Sequence, residues 1–208
     1  MANNLRAFNT NSEYQSAELV YPAVSYIEEN DTVMYDATAP APHFTGKYQV
    51  TYTGGTSYSA ECNSSVTLDG ETIPSHNQVE TLIVGDCVVS GVTNFNADYG
   101  YGKLKTVEFG TGLEKISSYA FLYDSKLESV TINSTKVSLI SNSVFQGCSN
   151  LESFTIYTET PPMLFDDIFA STKIAEGTGH IYVPASAVDA YKADSKWGLH
   201  SNVIEAIQ

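Results

Sequence analysis

A mainly β chain that coils back on itself in repeats is the fold class the sequence predicts, and three observations point to it. The stretch 104–126 is followed by a second version of itself at 127–150 and by the opening of a third at 151–156. Aligned, Leu104, Leu127 and Leu151 open the units. Val107, Val130 and Phe154 follow at an offset of three, and Phe109, Ile132 and Ile156 at an offset of five. Later in each unit Ile116 matches Ile140, and Phe121 matches Phe145, each Phe after the small or branched Ala120 or Val144. The period is 23 residues from Leu104 to Leu127 and 24 from Leu127 to Leu151. A fixed period of that size is the mark of a solenoid in the leucine-rich-repeat range.

One unit shows why repetition is needed. In L-x-x-V-x-F the last two apolar residues lie two apart, so both face one side of a short strand while Thr106 and Glu108 face the other. The chain turns at Gly110 and Gly112, buries Leu113 and Ile116, and drops Phe121 inward. A single unit cannot close a core. Stacked units can, because each Ile and Phe then rests on its counterpart, and burying such a side chain contributes about 1.5–3 kcal/mol. The expected architecture is a leucine-rich-repeat solenoid of three to four coils over residues 79–183. A β-hairpin cap is expected over 46–78 and a strand–helix cap over 184–208.

The same residues carry a resemblance. Ala120-Phe121-x-x-Asp124-x-x-Leu127 and Val144-Phe145-Gln146-Gly147-Cys148-Ser149-Asn150-Leu151 resemble the A-F-x-x-C-x-x-L signature of BspA-like leucine-rich repeats, common in surface and secreted proteins of Bacteroidetes and in their phages. The second copy fits the signature, whereas the first has Asp124 in the cysteine position. The resemblance runs over about residues 79–208. It implies a fold and a binding role and carries no catalytic motif.

Residues 1–45 read differently. Ser12 and Gln15 fit a capping box ahead of a short helix at 13–19, stopped before Pro22. Residues 24–27 and 32–35 read as two strands about a turn, and 37–42, with Pro40 and Pro42, as a linker. This segment is too small for a core of its own, so it is expected to dock, with Phe8, Tyr14, Tyr26, Ile27 and Tyr35 as the candidate docking residues. Phe8, Thr10, Glu13 and Tyr14, then Pro22 with 24–28, and Val33 with Tyr35, resemble the leader of virion proteins of Bacteroidetes phages. That resemblance implies a virion localisation.

From 46 to 78 the pattern is again β. Residues 48–52 alternate, Gly54-Gly55 turns the chain, 58–62 return, and 66–68 precede the turn pair Asp69-Gly70. Val79, Leu82 and Val84 open a degenerate first repeat in which Val92 takes the Ile116 place and no counterpart of Phe121 is evident. Residues 94–102, rich in glycine and aromatics, read as an irregular exposed bulge. Beyond Ile156, Phe165, Ile168 and Phe169 are expected to supply the interior. Residues 180–183 form the last strand, 187–193 a short helix started by Ser186 with Asp189, and Trp197 covers the end of the stack with Val203 and Ile207 beside it. That ending, I-Y-V-P-x-x-x-V-x-A-Y-K followed by Trp197, resembles the close of many proteins of the same repeat family.

Charge and composition narrow the function. Twenty-four acidic against 10 basic residues give a formal net charge of −14, which disfavours nucleic acid because phosphate binding relies on Lys and Arg. No run of about 18 apolar residues would span a membrane. The start, Met1 to Arg6, lacks the pattern of a signal peptide, so ordinary secretion is not expected unless a signal has been cleaved ahead of it. Three spaced cysteines, Cys62, Cys87 and Cys148, read as reduced thiols in core slots, at least one of them unpaired by count. His43, His76, His180 and His200 are scattered and suit surface or cap roles. Asp166-Asp167 suits a solvated turn better than calcium. No nucleophile elbow, P-loop or dinucleotide fingerprint is present, so neither catalysis nor a cofactor is expected.

What remains is a surface. Outward positions of the strands form ladders, Thr106/Ser129/Ser153, Glu108/Thr131/Thr155 and Gly110/Asn133/Tyr157. The candidate binding residues are Thr106, Glu108, Thr131, Asn133, Thr155 and Tyr157, with Tyr99 and Tyr101 (beside Tyr119) as a second aromatic patch. Such ladders are also what the wet face of any half-buried sheet carries. The expected partners are other virion proteins, or a host cell-surface protein or glycan, with self-association a further option. The alternative to a virion protein is a bacterial cell-surface or secreted adhesin.

Overall fold

The structure, a computed structural model, describes residues 19–20, 43–44, 46–62 and 66–208. The expected capping box, the strand pair at 24–27 and 32–35, the linker at 37–42 and the docking residues Phe8, Tyr14, Tyr26, Ile27 and Tyr35 lie outside the described residues. Leu19, expected at the end of a helix, instead lies in β1 (Leu19–Val20), antiparallel to β2 (His43–Phe44).

The chain continues through a hairpin, β3 (Tyr48–Tyr52) and β4 (Ser57–Ala60), paired antiparallel as the alternation at 48–52 predicts. Next comes β5 (Leu68–Asp69). Asp69-Gly70 makes no hairpin. The Asp69 carboxylate accepts from the Glu71 amide at 3.1 Å and starts a 3-10 turn, Gly70–Thr72. β6 (Val79–Val84) follows, then β7 (Val92–Thr93), which pairs parallel with β5. The repeats supply β8 (Thr106–Phe109), β9 (Lys115–Ile116), β10 (Ser129–Ile132), β11 (Leu139–Ile140), β12 (Ser153–Ile156) and β13 (Met163–Leu164). β14 (His180–Val183), α1 (Val188–Ala193) and β15 (Ile204–Ala206) complete the described chain.

Three lines of packing organise these elements. The first is an eight-stranded sheet in the order β4-β3-β6-β8-β10-β12-β14-β15, parallel from β6 onward. Its register aligns Leu82, Val107, Val130, Phe154, Ile181 and Ile204 in one inward row. The second is a parallel strip β9-β11-β13, in which Ile116, Ile140 and Leu164 lie side by side and buried. The third is a column of rings. Phe95, Phe121, Phe145 and Phe169 stack at centroid spacings of 5.5, 5.6 and 6.2 Å. Each turn of the chain therefore returns its apolar residues to the same lines, and the buried residues form one continuous cluster. The result is a mainly β molecule with a long parallel sheet, consistent with a repeat fold.

Several expectations are corrected. Phe95 is the counterpart of Phe121 that the first repeat was expected to lack. Residues 94–102 are no exposed bulge. They fold as a 3-10 turn, Ala97–Tyr99, on a buried base of Phe95, Asn96 and Tyr101. Phe165 is 55% exposed and supplies nothing to the interior, unlike Ile168 and Phe169. β14 is not the last strand, because β15 adds parallel to it and sets Ile204 beside Ile181. Cys62 and Cys87 are joined in a disulfide, and Cys148 alone is a buried free thiol. Trp197 is fully buried against Phe154 and Phe169 and donates its indole N–H to the Pro162 carbonyl at 2.9 Å.

Candidate functional site

The outward face of the parallel sheet is built by the strand alternation itself. In β8, β10 and β12 the second and fourth residues are buried and the first and third half-buried. With the register fixed by the inward row, the outward residues fall into lines. Thr81, Thr106, Ser129, Ser153 and His180 form one line, and Ile83, Glu108, Thr131, Thr155, Tyr182 and Glu205 the next.

Hydrogen bonds knit neighbouring coils across this face. The Ser129 hydroxyl donates to Thr106 Oγ1 at 3.3 Å, and Asn133 Nδ2 donates to Glu108 Oε1 at 2.8 Å. Beside the strand starts, Lys105 pairs with Glu80 at 3.1 Å and Lys173 with Glu152 at 2.7 Å. The Lys173 ammonium holds the exposed Glu152 carboxyl below its usual range. At the far end His180 stacks on Tyr182, and its Nδ1–H donates to Glu205 at 3.0 Å. The face is thus hydroxyl-lined in the middle and aromatic toward β14, where Tyr157 stands 38% exposed.

Thr106, Glu108, Thr131 and Thr155 are brought together in these lines, with Asn133 just past the end of β10 and Tyr157 just past the end of β12. Tyr99 is exposed elsewhere and lines a shallow recess with Glu71, His76, Asn77, Asp98 and Gly100. Tyr101 does not belong to a surface. It is 0% exposed, its hydroxyl donates to the Gly70 carbonyl at 2.8 Å, and its ring packs between His76 and Phe95. Tyr119 is exposed, with a left-handed backbone at φ 62°. Thr81, Ile83, His180, Tyr182 and Glu205 extend the face beyond the residues expected. The outward neighbours of Leu82 and Ile181 could have been read from the same alternation. Glu205 could not, because β15 was not expected.

Asp166, Asp167 and His76, polar groups of the kind that carry chemistry, are engaged structurally. Both oxygens of Asp166 accept from the Ser143 amide at 3.0 Å, and one accepts from the Ser143 hydroxyl at 2.9 Å. Asp167 accepts from the Phe169 amide at 3.0 Å and from His200 Nε2 at 2.9 Å, and the His200 bond holds its carboxyl below the ordinary value. His76 Nδ1 lies 3.3 Å from the Ile73 carbonyl. Among the described residues no group of three or more His, Cys, Asp or Glu is placed to hold a metal ion. Among the same residues no helix is long and apolar enough to cross a membrane.

With this geometry in view, comparison with family models gives a match. Residues 94–186 match the BspA type leucine-rich repeat region, a region of six copies. This stretch is similar to BspA type repeats. The match covers β8 to β14 and the Phe column from Phe95 to Phe169, and repeats of this type suggest a binding or interaction module. No curated protein matches the chain.

Proposed function

We propose that this chain is a non-catalytic display module. In this reading residues 79–183 are a solenoid of three to four coils, 46–78 its hairpin cap and 184–208 its strand–helix cap. Residues 1–45 dock it on a phage particle, and the outward face of the parallel sheet meets a protein or glycan. The observation that carries the reading is the unbroken register of outward residues from Thr81 to His180 and from Ile83 to Glu205. A flat array of hydroxyls ending in aromatics offers many weak hydrogen bonds and a few anchors, as contact surfaces do.

The test is a glycan and host-protein binding screen of the full chain against Tyr157→Ala and Thr131→Lys. Loss of a binder in both variants with an unchanged melting curve is expected. Binding that survives both substitutions would rule this face out. Docking is tested separately by deleting residues 1–36, which should abolish incorporation into particles while the remainder folds.

A second reading, a bacterial cell-surface or secreted adhesin, draws support from the Cys62–Cys87 disulfide, since disulfides persist in oxidising compartments. Finding the chain on cells rather than in purified particles would favour it.

A further inference from the structure

Three of the four stacked rings of the Phe column, Phe121, Phe145 and Phe169, are followed three residues later by a buried polar side chain that must find a partner inside the molecule, whereas the residue three after Phe95 is the exposed Asp98. After Phe145 it is Cys148, whose thiol donates to the Phe121 carbonyl at 3.1 Å. After Phe169 it is Thr172, whose hydroxyl donates to the Phe169 carbonyl at 2.7 Å. After Phe121 it is Asp124, fully buried, and neither of its carboxyl oxygens has a hydrogen-bond partner among the described residues. The flanking positions of the column want a donor, and a carboxyl has one only when protonated.

The titratable groups that face Asp124 are the Tyr101 phenol from the preceding coil and the Cys148 thiol from the following one. Burial raises both, so neither is charged near neutrality, and among the described residues no cation acts on the Asp124 carboxyl. A bare carboxylate there would be desolvated without compensation.

We propose that Asp124 is a neutral carboxylic acid in the folded chain and that its ionisation loosens the repeat interior, making the region a pH-sensitive element that is firmest in acid. Burial pushes this carboxyl from 3.8 up to about 9, in line with the geometry. A folded-state acid with a raised value binds its proton more tightly than the unfolded chain does. Stability is then fully present below the unfolded value and falls as pH rises toward the folded one, by up to about tenfold in the folding constant per pH unit.

The test is urea unfolding of the full chain and of Asp124→Asn, which mimics the neutral acid, at pH 5, 6, 7 and 8. The ratio of folding constants, variant over wild type, should rise at least about tenfold from pH 5 to pH 8. A ratio constant within about twofold would overturn the proposal. Should the amide variant fail to fold, Asp124→Cys, which places the Cys148 side chain in this coil, serves the same comparison. A direct reading comes from carboxyl carbon NMR of the wild-type chain. An Asp124 signal titrating above pH 7 supports the proposal, and one titrating near 4 sinks it.

Discussion

Phe145 and Glu108 lie one coil apart and differ in every respect that sets a mutational cost. Phe145 stacks between Phe121 and Phe169 with its other edge on Phe154, and is fully buried. Phe145→Ala should cost about 3–5 kcal/mol, read as a drop in the urea midpoint. Glu108 is half-buried on the polar face and accepts one bond from Asn133. Glu108→Ala should be neutral within about 0.5 kcal/mol. Asp167 gives a pH signature opposite to that of Asp124. Its carboxyl is held below the ordinary value by His200, so its contribution is present above the unfolded value and lost as pH falls through the folded one. Asp167→Asn should flatten the loss of melting temperature below about pH 4, measured from pH 5 to 2.5. The rings of Phe121 and Phe145 were legible from matched offsets. Phe95 was not, because the extra residues of the 3-10 turn after it shift its spacing. Tyr101 was misplaced because its burial depends on Gly70 and His76, partners remote in sequence.

Among the elements, the short strands of the repeats were read well because each alternates under a fixed register. Those that arise from non-local pairing were not. β15 is three residues long and exists because Ile204 finds Ile181, and β5 exists because β7 lies beside it. The disulfide was hidden for the same reason, since spacing alone does not show that the chain after β4 meets the loop after β6. It ties the hairpin to the first repeat strand across 25 residues. Replacing both cysteines by Ser should cost about 2–4 kcal/mol, seen as a lower melting temperature in non-reducing buffer. Gly85, just past β6, is a second constraint at this junction. Its amide donates to the Lys47 carbonyl at 2.9 Å, and a Cβ there would overlap the Gly46 carbonyl oxygen. Gly85→Ala should therefore part the hairpin from β6, and faster hydrogen exchange across β3 and β6 would report it. Normal protection there would show that the junction takes up a Cβ without parting the strands.

At the scale of the molecule, one hydrophobic interior runs from Tyr48 to Ile204 without interruption, and the polar face follows its full length. That face was half legible. The rows over β8, β10 and β12 follow from period and alternation, while their continuation to His180, Tyr182 and Glu205 needed the neighbour order of the sheet. The parallel register of β8, β10 and β12 is identical from strand to strand, so a duplicated copy of residues 127–150 would find its hydrogen-bonding partners already in place on both sides. Such a lengthened chain would gain about 4.8 Å of length along the stack at no loss of fit. The reach of the molecule is thus a matter of how many rungs are copied, and on the proposed display role partners of different breadth would be met by gene duplication instead of by redesign.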